Sequence, residues 1–83
     1  MLKNIYGIYD IVLKNYVNRF ETTEDADAIR SFNTDIKKAE SDRIPVKDFR
    51  LDKLGTFDSS TGVLTSDISV LVDAINKDTP GKV

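Results

Sequence analysis

The chain contains no cysteine and no histidine. Without cysteine there is no disulfide framework, no thiolate zinc site and no thiol nucleophile. Without histidine the commonest general base and metal ligand is missing. Glycine is sparse: Gly7, Gly55, Gly62 and Gly81 stand apart and form no phosphate-cradling loop. No apolar run approaches the roughly 20 residues of a membrane span. Met1-Leu2-Lys3-Asn4 leads into a polar-interrupted stretch unlike a signal peptide. These absences lead us to expect no enzymatic activity, no cofactor, no metal and no membrane partner. What is present is ordinary for a folded protein: 83 residues, 40% hydrophobic and 31% charged, with a net charge of -2. That length fits one small domain, near the lower limit of what folds alone. We place the domain at residues 1–77, with 78–83 (Asp-Thr-Pro-Gly-Lys-Val) as a flexible tail.

The hydrophobic pattern predicts an α+β fold, in the order strand-strand-helix-strand-strand. Residues 4–10 (Asn-Ile-Tyr-Gly-Ile-Tyr-Asp) are apolar at both parities, as in a central strand covered on both faces. In residues 15–20, Tyr16, Asn18 and Phe20 alternate with Val17 and Arg19, which predicts a second strand with the first three on one face. The intervening Ile11-Val12-Leu13 is unusually apolar for a turn. Thr22-Thr23-Glu24-Asp25 opens a helix over 23–40, with a Thr hydroxyl taking up free backbone N–H groups. Its apolar stripe is Ile29, Phe32, Ile36 and Ala39, with Ala26 and Ala28 near the start. A third strand over 48–57 slips its alternation between Leu51 and Leu54, so a bulge near Asp52-Lys53 is expected. Asp58 to Gly62 reads as a hairpin turn into a short strand at Val63-Leu64-Thr65. Residues 67–76 fit two templates. Ile68, Leu71, Val72 and Ile75 suit a helix capped by Ser66, while Ile68, Val70 and Val72 suit a strand; the helix is the expectation. The result is a small antiparallel sheet of about four strands with one amphipathic helix packed on it.

Chemistry has few places to reside. Eleven Asp make close pairs common by chance. Asp25 with Asp27, and Asp48 with Asp52, are the tempting pairs for metal or acid–base work, but capping and strand-exposed solubility weigh more heavily. Gly7 and Gly55 lie within strands, where they mark bulges or tight contacts. Nucleic-acid binding would need a local patch, because a slightly acidic chain has no general attraction for phosphate. Candidate cations are Lys14 and Arg19 on the first hairpin, and Arg30, Lys37 and Lys38 on the helix. Arg43 and Lys47 lie in the following loop, and Arg50 and Lys53 on the third strand. Rings on strands could stack on unpaired bases. Against this, so short a chain needs most of its rings for its core.

The segment with Pro45, Asp48-Phe49, Leu51, Leu54-Gly55, Phe57-Asp58 and Thr61-Gly62, preceded by Tyr6-Gly7-Ile8-Tyr9-Asp10 and Ala28-Ile29-Arg30-Ser31-Phe32, resembles a family of small phage proteins. These are the nonstructural, DNA-binding proteins of gokushoviruses, the small single-stranded DNA phages of the Microviridae. Val17-Asn18-Arg19-Phe20 stands where that family usually has a proline-containing segment, and the match loosens beyond Thr65. The resemblance implies a nonstructural accessory role in the single-stranded genome cycle, in replication or packaging, in the cytoplasm of the infected bacterial host. It implies binding of single-stranded DNA and no catalysis. On that reading Arg19, Arg30, Lys37 and Lys38 contact phosphates while Tyr9 and Tyr16 stack on bases. For Arg30, a salt bridge to Asp27 or Glu24 is an equal alternative. The rival reading is a protein-interaction module, a homo-oligomer through a sheet edge, that binds a phage replication or capsid protein without touching DNA.

Overall fold

The structure is a computed structural model and describes residues 1–73. β1 (Leu2–Asp10) and β2 (Asn15–Thr22) form an antiparallel hairpin, α1 (Asp25–Ser41) follows, and β3 (Phe49–Asp58) and β4 (Val63–Asp73) form a second hairpin. The strands make one antiparallel sheet in the order β2-β1-β3-β4. The α+β architecture matches the sequence pattern, and the apolar first strand is internal to the sheet, but the expectation that both its faces are covered fails: no described element covers the second one. The predicted terminal helix is corrected: β4 runs unbroken to Asp73, paired with β3 from Asp58↔Val63 to Arg50↔Asp73. The β-branched residues Val63, Thr65, Ile68, Val70 and Val72 prefer the extended backbone. The ladder with β3 satisfies their backbone groups on one side, and Val72 is buried in the core. Ile75, the last residue of the helical stripe, and the 78–83 tail lie outside the described residues.

The helix packs on one face of the sheet. Ala28, Phe32 and Ile36, spaced by four, are buried against Tyr6, Ile8, Leu51 and Val72, with Phe20, Ile29, Val46, Phe49 and Leu71 around them. The start of the helix differs from expectation. Glu24 is the N-cap and no side chain caps the first turn. Thr22 Oγ1 instead accepts from the Glu24 N–H at 3.1 Å and donates to its carbonyl at 2.7 Å, turning the chain ahead of the helix. At the other end Arg43 adopts a left-handed φ of 62°. Its N–H donates to the Glu40 carbonyl (3.0 Å) and that of Ile44 to Ala39 (2.8 Å), a paired closure that satisfies the last carbonyls.

Bulges reset the faces of the strands. Val17 has no cross-strand partner between the pairs Ile8↔Asn18 and Tyr9↔Tyr16. This extra residue turns Tyr16 to the face opposite Phe20, so the expectation that the two share a face fails. On β3, Leu54 is the extra residue between Tyr6↔Lys53 and Ile5↔Gly55, one position from the expected bulge. Gly55 is required where β4 crosses closest, since a Cβ there would lie 1.9 Å from the Thr65 carbonyl oxygen. Gly62, with φ 80°, and Asp58, accepting from the Ser60 N–H at 2.9 Å, make the hairpin turn.

Candidate functional site

No described element covers the second face of the sheet. The register puts Ile5, Gly7 and Tyr9 of β1, Tyr16 and Arg19 of β2, and Arg50 and Asp52 of β3 on that face. At its centre four side chains close a ring of contacts. Tyr9 and Tyr16 meet edge to face, centroids 4.9 Å apart at 64°. The Arg50 guanidinium lies 4.3 Å from the centre of the Tyr9 ring. It forks onto Asp52, Nε to Oδ1 at 2.9 Å and Nη2 to Oδ2 at 3.1 Å. Tyr16 completes the ring, its hydroxyl donating to Asp52 Oδ2 at 2.6 Å.

The local sequence explains this arrangement. Gly7 leaves room for Tyr16 to lie flat on β1, for a Cβ there would stand 2.7 Å from Tyr16 Cδ1. Arg50 and Asp52, two apart on one strand, point the same way and pair along it. Tyr16 and Arg50 flank Asp52 so closely that it is fully buried, while Arg50 retains 28% exposure. Burial, reinforced by the Asp52 carboxylate, pushes the Tyr16 hydroxyl above its ordinary range. The hydrogen bonds to Asp52 raise the Arg50 guanidinium further still, fixing its charge. Asp52 is therefore no solubilising surface residue, as the sequence suggested; it is the acceptor that orders an arginine and a tyrosine on the open face.

Tyr9, Tyr16 and Arg19 come together on this face, with Arg19 opposite Gly7 and exposed. Arg30, Lys37 and Lys38 lie on α1, in the other layer of the fold, and are exposed. Arg30 is held by Asp27 at 2.8 Å, the salt bridge weighed as the alternative to a ligand contact. Arg50 and Asp52 were not joined by sequence reasoning. The available signal was opposite charges at i and i+2 on a strand, which must share a face.

A second feature is a cleft of about 380 Å³ on the helix side, lined by Asp25, Lys53, Thr56, Thr65, Asp67 and Ser69 among others. Two of its charges, Asp25 and Lys53, are engaged internally. Asp25 accepts from the buried Tyr6 hydroxyl at 2.5 Å and pairs with Lys53 at 3.4 Å. Burial, and then the bond to Asp25, raises the Tyr6 hydroxyl above its ordinary range. Among the described residues no three potential metal-ligating side chains cluster, and no helix is long and apolar enough to cross a membrane.

The phage ORF5 protein family matches residues 3–76. No curated protein and no solved structure matches the chain. With the match spanning nearly the whole sequence, the chain belongs to the phage ORF5 protein family.

Proposed function

We propose that this phage ORF5 family protein is a nonstructural accessory protein of a gokushovirus-type phage, and that it binds single-stranded DNA on the uncovered face of its sheet. It would act during genome replication or packaging, in the cytoplasm of the infected bacterium. The observation that carries this reading is the placement of Tyr9, Tyr16 and Arg50 outside the core. Tyr6 and Phe32 are fully buried, and Phe20 and Phe49 pack around them. Tyr9 and Tyr16 are instead half-buried on the open face and ordered by a buried carboxylate.

Rings and guanidinium planes fixed on a flat sheet suit unpaired bases, whose π-faces are free to stack. A duplex hides those faces, and the net charge of -2 offers it no general attraction. Arg19, exposed on the same face, would supply the phosphate contact. Arg50 is already neutralised by Asp52, so stacking supplies most of the affinity. Each phosphate contact to a single strand contributes about -0.7 to the logarithmic salt slope, so one to three contacts give a slope between about -1 and -2. Arg30, Lys37 and Lys38 sit across the sheet from this face and would not reach the same strand.

The test is fluorescence anisotropy with labelled single-stranded and double-stranded oligonucleotides at two salt concentrations. The reading requires single-strand preference and a shallow salt slope. Equal affinity for both forms, or a steep slope, would assign binding to general charge and remove the stacking face.

A further inference from the structure

β4 is the last strand of the sheet, so one edge of Val63–Asp73 has no described partner. Native edges are usually guarded by lysine, proline, bulges or a covering segment. The opposite edge, β2, is guarded in this way. It has a bulge at Val17, and Asn18, Arg19 and Glu21 stand exposed along it. The β4 edge is not. From Val63 to Val70 its one charge is Asp67, with no lysine, arginine, proline or glycine. Val63, Leu64, Ile68 and Val70 are 56%, 69%, 61% and 56% exposed. Pairing of Leu64 with Phe57, Ser66 with Gly55 and Val70 with Asp52 puts Leu64, Ser66 and Val70 on the open face. Strand alternation places Ile68 between them.

We propose that β4 pairs antiparallel with β4 of a second copy, about a two-fold axis at Ser66, to give one continuous eight-stranded sheet. The sequence around Ser66 is self-complementary in that register. Leu64 of each copy faces Ile68 of the other, and Thr65 faces Asp67, so apolar meets apolar and a hydroxyl meets a carboxylate. Centring the pair on Asp67 would set two carboxylates opposite each other, so charge selects Ser66. A segment of a different protein would need no such symmetry, whereas a two-fold interface does. The axis of an antiparallel pair runs perpendicular to the sheet. Both helices therefore fall on one side and both Tyr9–Tyr16–Arg50 clusters on the other. The pairing is argued from the edge alone and stands whether or not that face binds DNA. One strand edge covers less than the roughly 800 Å² per partner of a standard stable interface. The dimer is therefore concentration-dependent, with a dissociation constant on the order of micromolar.

Sedimentation equilibrium of the full chain across a wide concentration range tests this. The mass should rise from 9.3 kDa towards twice that value. A Leu64→Lys/Ile68→Lys variant with an unchanged circular-dichroism spectrum should associate at least tenfold more weakly. The register is tested separately. The chain has no cysteine, so Ser66→Cys can form a disulfide only between copies. It should cross-link under mild oxidation far faster than Thr34→Cys, which lies exposed on the helix. A monomer at every concentration, undiminished association of the lysine variant, or equal cross-linking at the two positions would overturn the proposal.

Discussion

Replacing Asp52 with alanine removes the acceptor on which the open-face cluster is built. Asp52 is fully buried, and it takes two hydrogen bonds from Arg50, at 2.9 and 3.1 Å, and one from Tyr16, at 2.6 Å. Taking one partner from a buried ion pair costs about 3–5 kcal/mol, because the other charge remains desolvated. Arg50 keeps 28% exposure, so water recovers part of that cost and the lower end applies. The orphaned Tyr16 hydroxyl adds about 1 kcal/mol. Asp52→Ala should therefore destabilise the fold by about 4 kcal/mol, out of the roughly 4–12 kcal/mol expected for a domain of this size. The melting temperature should fall by about 20 °C. Urea denaturation followed by far-ultraviolet circular dichroism measures the loss. Adding Tyr16→Phe to Asp52→Ala should cost less than the sum of the two single changes, because both remove the same bond. A loss below about 0.5 kcal/mol for Asp52→Ala would show that the cluster is not held by this carboxylate, and the argument for an ordered face would fall with it.

Three further outcomes are expected. Gly55→Ala should cost more than about 3 kcal/mol or prevent folding, since its Cβ would collide with backbone at Thr65; near-native stability in a denaturant titration would contradict the β3–β4 register. Arg43→Gly should raise stability by about 0.5–1 kcal/mol by relieving the left-handed backbone at the helix end, read as a melting temperature higher by a few degrees; a decrease would contradict the closure described there. Tyr6 and Tyr16 are raised above the ordinary tyrosine value of 10.0, so the folded state holds their protons more tightly than the unfolded state. Their contribution to stability is complete below that value and is lost as pH rises through the folded pKa values. Stability should thus decline on the alkaline side above about pH 10, measured by urea titrations at increasing pH, and a flat profile there would contradict the two tyrosine–carboxylate bonds.

The layout was readable in the sequence wherever the hydrophobic period was clean. Phe32 and Ile36 announced the helix, and the doubly apolar stretch around Tyr6 announced an internal strand. The last segment was not readable by period, because Ile68 and Val72 satisfy both templates, with Leu71 added for a helix and Val70 for a strand. Pairing with β3, a tertiary effect, decided for the strand. The candidate site was half legible. Tyr9, Tyr16 and Arg19 could be named as residue types, but their common face depends on the Val17 bulge, and a single inserted residue inverts every alternation beyond it. Burial of Asp52 was hidden for a related reason. It results from Tyr16 crossing β1 over Gly7 to reach Asp52 on β3, and no local window of sequence contains these residues together.

The central claim is that the uncovered face, and not the helix, holds a single strand of DNA. It is tested most directly by comparing the affinity of the unaltered chain for a labelled single-stranded oligonucleotide with that of Tyr9→Ala and of Lys37→Ala/Lys38→Ala, by anisotropy at low salt. Tyr9 makes no hydrogen bond to Asp52, so its removal spares that bond network. Loss of one stacking ring is worth about 1–3 kcal/mol, so Tyr9→Ala should bind roughly 5- to 150-fold more weakly while the helix variant stays within about twofold. The reverse order, or an unaltered chain that binds no single strand at low salt, would contradict the account.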